Sequence, residues 1–302
     1  NNPLSISIAL KCLPMVKALI EAGAVIDGSD DYGRTPLVSS LLSKENVNID
    51  IVGLLLRYGA KLDIESGLGE LPLIMAAEGH LSDVVKMFIE FGADVDIRNK
   101  HSQTALMHAA QAGDPGIVKM LLQAGAQADL RCDEVYVSLT KSAALIDAAR
   151  SGHVEIVKIL LENGANINLQ NALGTTALMA AISHNQYATC LRCHAMEMER
   201  IGRRIVIPPR QGHAYNCCVP VVDTLIQHGA DVNLQDICQD TALHIAVDRG
   251  KQEAVALLLR AGADTTIVDD SGETPLASAQ KYKRKEIVKM LKSAQQSKCV
   301  IQ

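Results

Sequence analysis

Gly152-His-Val-Glu-Ile-Val-Lys-Ile-Leu-Leu-Glu-Asn-Gly-Ala-Asn-Ile-Asn168 is the stretch that decides the fold. On a 3.6-residue helix Val154, Ile156, Val157, Leu160 and Leu161 share one side, and Glu155, Lys158 and Glu162 face away. Gly164 follows where the helix must stop in a left-handed conformation that glycine adopts without steric cost. The ending recurs. Gly-Ala pairs begin at Gly23, Gly59, Gly92, Gly125, Gly164, Gly229 and Gly262, at intervals of 36, 33, 33, 39, 65 and 33 residues. A period near 33 with occasional additions marks a stacked solenoid in which each unit buries its apolar face against its neighbours.

About 20 residues upstream of Gly164 lies a second short segment, Ala143-Ala-Leu-Ile-Asp-Ala-Ala149, whose alanines permit close packing. Two helices this short are marginal alone in water, so stacking must supply the missing burial. Helix starts repeat as well: Thr35-Pro36-Leu37, Thr104-Ala105-Leu106, Thr176-Ala177-Leu178, Thr241-Ala242-Leu243-His244 and Thr274-Pro275-Leu276. Each places a hydroxyl at the N-cap, and proline, where present, takes the first turn, which needs no amide donor.

With Asp240-Thr-Ala-Leu-His-Ile-Ala246 and the 152–168 stretch as its two helix signatures, the chain resembles the ankyrin-repeat family. The resemblance implies an all-α repeat solenoid of antiparallel helix pairs joined by hairpin loops. Residues 1–302 form one array with repeats at about 1–28, 29–65, 66–98, 99–131, 132–170, 171–235, 236–268 and 269–298. It is nearly silent on function, because the shared motifs are structural. The chain begins without methionine, and no loop precedes Pro3-Leu4, which predicts a longer polypeptide upstream. The last unit ends in Ile287-Val-Lys-Met-Leu291 with polar neighbours and no Gly-Ala after it, as a terminal cap requires.

Composition agrees with a core of Leu, Ile, Val, Ala and Met: tryptophan is absent and aromatics are 3%. No apolar run is long enough to cross a bilayer, and no signal-peptide pattern is present. Eight unevenly spaced cysteines fit thiols in a reducing compartment, hence an intracellular, cytoplasmic or nuclear protein. Against a total charge of −5, residues 281–302 carry +6 and residues 189–219 carry +3, so the remainder is −14. An acidic body with two basic islands predicts a partner of basic or mixed charge and argues against nucleic acid. The bland reading of the +6 end is that Lys281, Lys283, Arg284 and Lys285 solubilise the end cap.

The 65-residue interval carries an insertion at about 187–218, between the two helices of one unit. Within it Cys190-x2-Cys193 and His213-x3-Cys217 supply four soft ligands in two close pairs, a spacing tetrahedral zinc accepts. The competing reading continues the first helix through Cys190 and His194, with cysteine as a small hydrophobe. In the 39-residue interval Glu134-Val-Tyr-Val-Ser-Leu139 alternates like a hairpin arm. Val135, Tyr136, Val137 and Leu139 are then either an exposed interface finger, with Tyr136 as its anchor, or folded back on a neighbour.

Alignment to the repeat places further fingertip residues that the resemblance implies for partner binding. They are Tyr32 and Arg34, Leu68 and Glu70, His101 and Gln103, Leu173, and Ile237. It also implies that Asn168 and Asn233 are acceptors for an asparaginyl hydroxylase. Catalytic readings find no foothold. Gly67-Leu-Gly69 lacks the third glycine of a dinucleotide loop, and no phosphate-cradling loop, nucleophile elbow or His-Glu-x-x-His pair occurs. The sequence therefore predicts a non-catalytic protein-interaction module. The alternative is an intramolecular regulator of a catalytic or channel domain in the full-length chain.

Overall fold

In the computed structural model, residues 3–43, 46–132, 143–183 and 219–299 are described, the last with side chains to residue 296. Two compact units divide the chain, residues 1–130 and 131–302. In the first, α1 (Pro3–Ala9), α2 (Leu13–Glu21), α3 (Pro36–Leu41), α4 (Ile49–Arg57), α5 (Pro72–Glu78), α6 (Ser82–Glu90), α7 (Ala105–Ala112) and α8 (Pro115–Gln123) follow one another. In the second come α9 (Ala144–Ser151), α10 (Val154–Glu162), α11 (Ala177–Ser183), α12 (Val219–Gln227), α13 (Ala242–Arg249), α14 (Gln252–Arg260), α15 (Pro275–Lys281) and α16 (Lys285–Cys299). Among the described residues there is no strand, only a single bridge between Gln235 and Thr241. No described helix is long and apolar enough to cross a membrane.

Packing follows one rule in both units. Each first helix packs on its own second helix and on the next first helix, and second helices pack on second helices. Thus α5 meets α3, α6 and α7, while α13 meets α11, α14 and α15. The helices α11 and α12 form one such pair although residues 184–218 separate them. Alanine makes the first helices thin enough for this: Ala76, Ala77, Ala109, Ala110, Ala148, Ala149, Ala180 and Ala181 have no exposed surface. The second helices bury Leu55, Phe88 and Leu121 in one unit and Leu160, Leu225 and Leu258 in the other, all with no exposed surface.

The Gly-Ala pair has a complete explanation in backbone bonding. At the end of α10 the Gly164 amide donates to Leu161 (3.0 Å) and the Ala165 amide reaches back to Leu160 (3.0 Å). This double return satisfies carbonyls that the helix end leaves open. It requires a positive φ, here +82°, whereas a Cβ on Gly164 would meet nothing within 4 Å. Conformation, not space, selects glycine there.

Starts are equally determined. The Thr35, Thr104, Thr176, Thr241 and Thr274 hydroxyls accept from the amides of Val38, Met107, Met179, His244 and Ala277 at 3.3–3.4 Å. At α13 the cap is reciprocal. His244 Nδ1 accepts from the Thr241 amide (3.2 Å) and lies 2.9 Å from its hydroxyl, while Nε2 lies 3.2 Å from the Glu273 carbonyl. These partners suit a neutral ring with its proton on Nε2, and burial pushes the His244 pKa down.

The cysteines depart from expectation. Cys12 and Cys132 are thiols, but Cys238, fully buried, is disulfide-bonded. Spacing along a chain carries no information about which sulfurs meet in space.

Candidate functional site

Hairpin loops between helix pairs hold the residues expected at the fingertips, and their backbone is fixed by single side chains. In the first unit the side-chain oxygens of Asp30, Ser66 and Asn99 each accept two amides, two and four residues on. Asp30 takes Tyr32 (2.8 Å) and Arg34 (2.9 Å); Ser66 takes Leu68 and Glu70 (3.2 Å each); Asn99 takes His101 and Gln103 (3.0 Å each). In the second unit Asn171, Asp236 and Asp269 do the same for Leu173 and Thr175, Cys238 and Asp240, and Ser271 and Glu273 (2.8–3.0 Å). A short polar side chain that mimics a backbone turn is what this loop needs. The next fingertip is then tied on. The Gly67 amide donates to the Tyr32 carbonyl (2.9 Å), Ile237 to Leu173 (3.1 Å) and Asp270 to Cys238 (3.0 Å).

A second set of clamps joins successive pairs behind the fingers. The carboxylates of Asp27 and Asp96 accept the amides of Lys61 and Gln127 (3.0 Å each) in the first unit. The carboxamides of Asn168 and Asn233 accept those of Asp231 (2.9 Å) and Asp264 (2.8 Å) in the second. Asn168 and Asn233 therefore hold adjacent repeats together, a role their position in the sequence alone did not disclose.

Among the expected fingertip residues, Tyr32 (62% exposed), Leu68 (56%) and Ile237 (42%) are the large apolar side chains presented to solvent. Tyr32 and Leu68 sit on fingers that are tied together. Arg34 is engaged: Nε and Nη2 donate to the two carboxylate oxygens of Glu70 at 2.8 and 3.0 Å, and the guanidinium lies 5.1 Å from the Tyr32 ring centroid. The hydrogen bond from Arg34 holds the Glu70 carboxyl below its usual range despite partial burial, and the same bond raises Arg34. Forked guanidinium and carboxylate thus cross-link two fingers.

Other expected fingertip residues face inward. Gln103 is buried at 6% exposure; its Oε1 accepts from Asn99 Nδ2 (3.3 Å) and lies 3.2 Å from His108 Nε2, so it supports the loop rather than presenting a contact surface. His101 and Leu173 are half-buried, with their backbone amides held by Asn99 and Asn171. Val135, Tyr136, Val137 and Leu139 lie outside the described residues, as do Cys190, Cys193, His213 and Cys217 with the proposed zinc site.

Sequence reading missed one charged feature of α9. Asp147 (1% exposed) accepts from Arg150 Nη1 at 2.8 Å, and the Arg150 side chain is 10% exposed. Burial lowers the Arg150 pKa while Asp147 raises it. The i,i+3 spacing of Asp147 and Arg150, on a helix whose only other polar residue is Ser151, was the available signal. Buried ion pairs of this type are weak evidence for stability but costly to break. Among the described residues no three His, Cys, Asp or Glu side chains gather closely enough to hold a metal ion.

Comparison with known proteins fits this geometry. The family model for ankyrin repeats (3 copies) matches residues 40–132 and 212–301, and that for ankyrin repeats (many copies) matches residues 145–192. The crystal structure of the ankyrin repeat domain of Bcl-3, described as a unique member of the IkappaB protein family, superposes with a TM-score of 0.60 at 25% identity. The match covers 96% of this chain and 98% of that one. The B-cell lymphoma 3 protein homolog of Mus musculus is 33% identical over 97 residues, 32% of this chain and 22% of the relative. Serine/threonine-protein kinase 12 of Arabidopsis thaliana is 40% identical over 70 residues, 23% and 15% of the two chains. The L-asparaginase of Dirofilaria immitis is 42% identical over 64 residues, 21% and 11%. The chain thus spans under a quarter of each of these relatives. Helix pairs, glycine-ended second helices, clamped fingers and family matches over most of the length together make this chain a member of the ankyrin-repeat family, whose repeats generally mediate protein–protein contacts.

Proposed function

We propose that the chain is a non-catalytic module that holds a protein or peptide partner against its fingertips and the first helices beside them. The observation that carries this reading is the exposure of Tyr32 and Leu68 on adjacent, backbone-tied turns. Large side chains on rigid supports lose little entropy on binding and dominate interface energies. The acidic body, −14 outside the two basic islands, favours a partner of basic or mixed charge and disfavours nucleic acid.

A second reading, intramolecular regulation of a catalytic or channel domain, draws on the relatives. Two proteins named as enzymes match this chain over only 15% and 11% of their own length. In them the similar segment is a small part of a larger polypeptide.

The test compares wild type with a Tyr32→Ala, Leu68→Ala double variant in pull-downs, followed by titration of the captured protein. Loss of at least tenfold in affinity, about 1.4 kcal/mol, with an unchanged unfolding midpoint supports the surface. Unaltered affinity refutes it. Capture of the chain's own flanking domains in trans, with the same sensitivity, selects the second reading.

A further inference from the structure

Tyr32 and Leu68 occupy the same place on two successive fingers, and both are exposed. At that place on later fingers His101 and Leu173 are half-buried and Cys238 is buried. The two exposed tips precede α3 and α5, which pack on each other, so they are spaced like neighbouring helices, roughly 8–10 Å apart. Gly67, whose Cβ would stand 3.0 Å from the Tyr32 carbonyl oxygen, keeps the position before Leu68 free of a side chain.

The charges around this pair are unequal in how they are used. Residues 30–34 and 65–70 hold four carboxylates and one guanidinium. Three of the carboxylates are occupied: Asp30 by loop amides, Glu65 by the Lys100 amide (2.6 Å), and Glu70 by Arg34 and the Ser66 hydroxyl. The Lys100 ammonium, which the third finger brings, is bound to the Gly67 carbonyl (3.0 Å). Asp31 is exposed and makes no hydrogen bond or ion pair among the described residues. The patch therefore offers one carboxylate with no internal counter-charge next to two apolar side chains. A ligand cation gains little from such a group in open water, and more where apolar contact displaces that water.

We propose that this patch takes an extended partner segment with two large apolar residues three positions apart and a lysine or arginine beside the one that meets Tyr32. The proposal rests on the fingertip reading and names the partner chemistry that those fingers select, with Asp31 as the residue that reads charge. The polyproline II conformation meets these demands. Its three residues per turn, at about 3.1 Å each, put positions i and i+3 on one side about 9 Å apart, which matches the spacing of the two tips. A β-strand would turn residues three apart to opposite faces. An acidic segment is the poorer occupant, because its carboxylates would meet Asp31 while Arg34 and Lys100 are already bound within the fingers.

Random twelve-residue peptides displayed on phage and selected on the immobilised 302-residue chain supply the probe. Wild type is expected to enrich the apolar pair with its flanking basic residue. Asp31→Lys alters an exposed side chain without partners, so the urea midpoint is expected to stay unchanged. The variant is expected to enrich aspartate or glutamate at the flanking place, and to bind the peptides selected by wild type at least tenfold more weakly. Enrichment of no common pattern, of a pattern without the basic residue, or of the same basic peptides by Asp31→Lys overturns the proposal. The Tyr32→Ala, Leu68→Ala double variant separates the two levels of the reading. If the selected peptides bind it as tightly as wild type, the fingertip reading falls together with the proposal. If they need Tyr32 and Leu68 but are indifferent to Asp31→Lys, the proposal alone falls.

Discussion

Two glycines ten residues apart separate backbone conformation from space. Gly164 and Gly174 have similar positive φ values, +82° and +71°. A Cβ at Gly164 would meet nothing, while one at Gly174 would lie 2.8 Å from Asp236 Cα and 3.0 Å from the Ile237 amide nitrogen. Gly164→Ala therefore adds only left-handed strain, ~1–2 kcal/mol, less ~0.4–1 kcal/mol recovered by restricting the unfolded chain. The net cost is about 1 kcal/mol. Gly174→Ala adds overpacking against backbone that cannot swing away, ~1–3 kcal/mol more. The displacement falls on the bond from the Ile237 amide to the Leu173 carbonyl (3.1 Å). Urea midpoints at constant slope give the two costs, and exchange of the Ile237 amide reports the finger directly. Gly164→Asn is expected to recover part of the loss, because asparagine tolerates the left-handed region better than alanine. Equal costs for the two alanine variants, or an undisturbed Ile237 amide in Gly174→Ala, would refute the reasoning.

Acidification is expected to weaken the second unit through His244. Its folded pKa lies below the unfolded value of about 6.5, so the unfolded state takes up the proton first. The stability contribution is complete above that value and declines as pH falls below it. Urea midpoints from pH 7.5 to 5 check this, with His244→Gln expected to flatten the slope. Arg34→Met is expected to cost about 1 kcal/mol by leaving Glu70 with the Ser66 hydroxyl (2.8 Å) as its remaining side-chain donor. Its effect on partner affinity should be smaller than that of Tyr32→Ala, since the guanidinium is already committed to Glu70; titration of both variants measures the difference.

The fold was legible because its determinants are local. A helix end that needs positive φ selects glycine, a first turn that needs an acceptor selects threonine, and both recur at a period set by one helix pair. The candidate site was legible only in outline. Alignment put Tyr32, Arg34, Leu68 and Gln103 alike at fingertips, yet Arg34 is tied to Glu70, 36 residues away, and Gln103 turns toward His108. Those contacts depend on neighbours in space. Asn168 and Asn233 showed the same gap: the resemblance suggested sites of modification, and the structure gives each a clamp on the next repeat.

The account rests on each helix pair being held by its immediate neighbours, and Leu160→Ala tests that most directly. Leu160 is fully buried in α10, which packs on α9 and α12. The substitution is expected to cost ~2–5 kcal/mol. Hydrogen exchange followed residue by residue through the second unit is the measurement. Faster exchange concentrated in α9 to α12, with α15 and α16 close to wild type, is the predicted result. Uniform acceleration from α9 through α16 would contradict it, because the unit would then be melting as a single block.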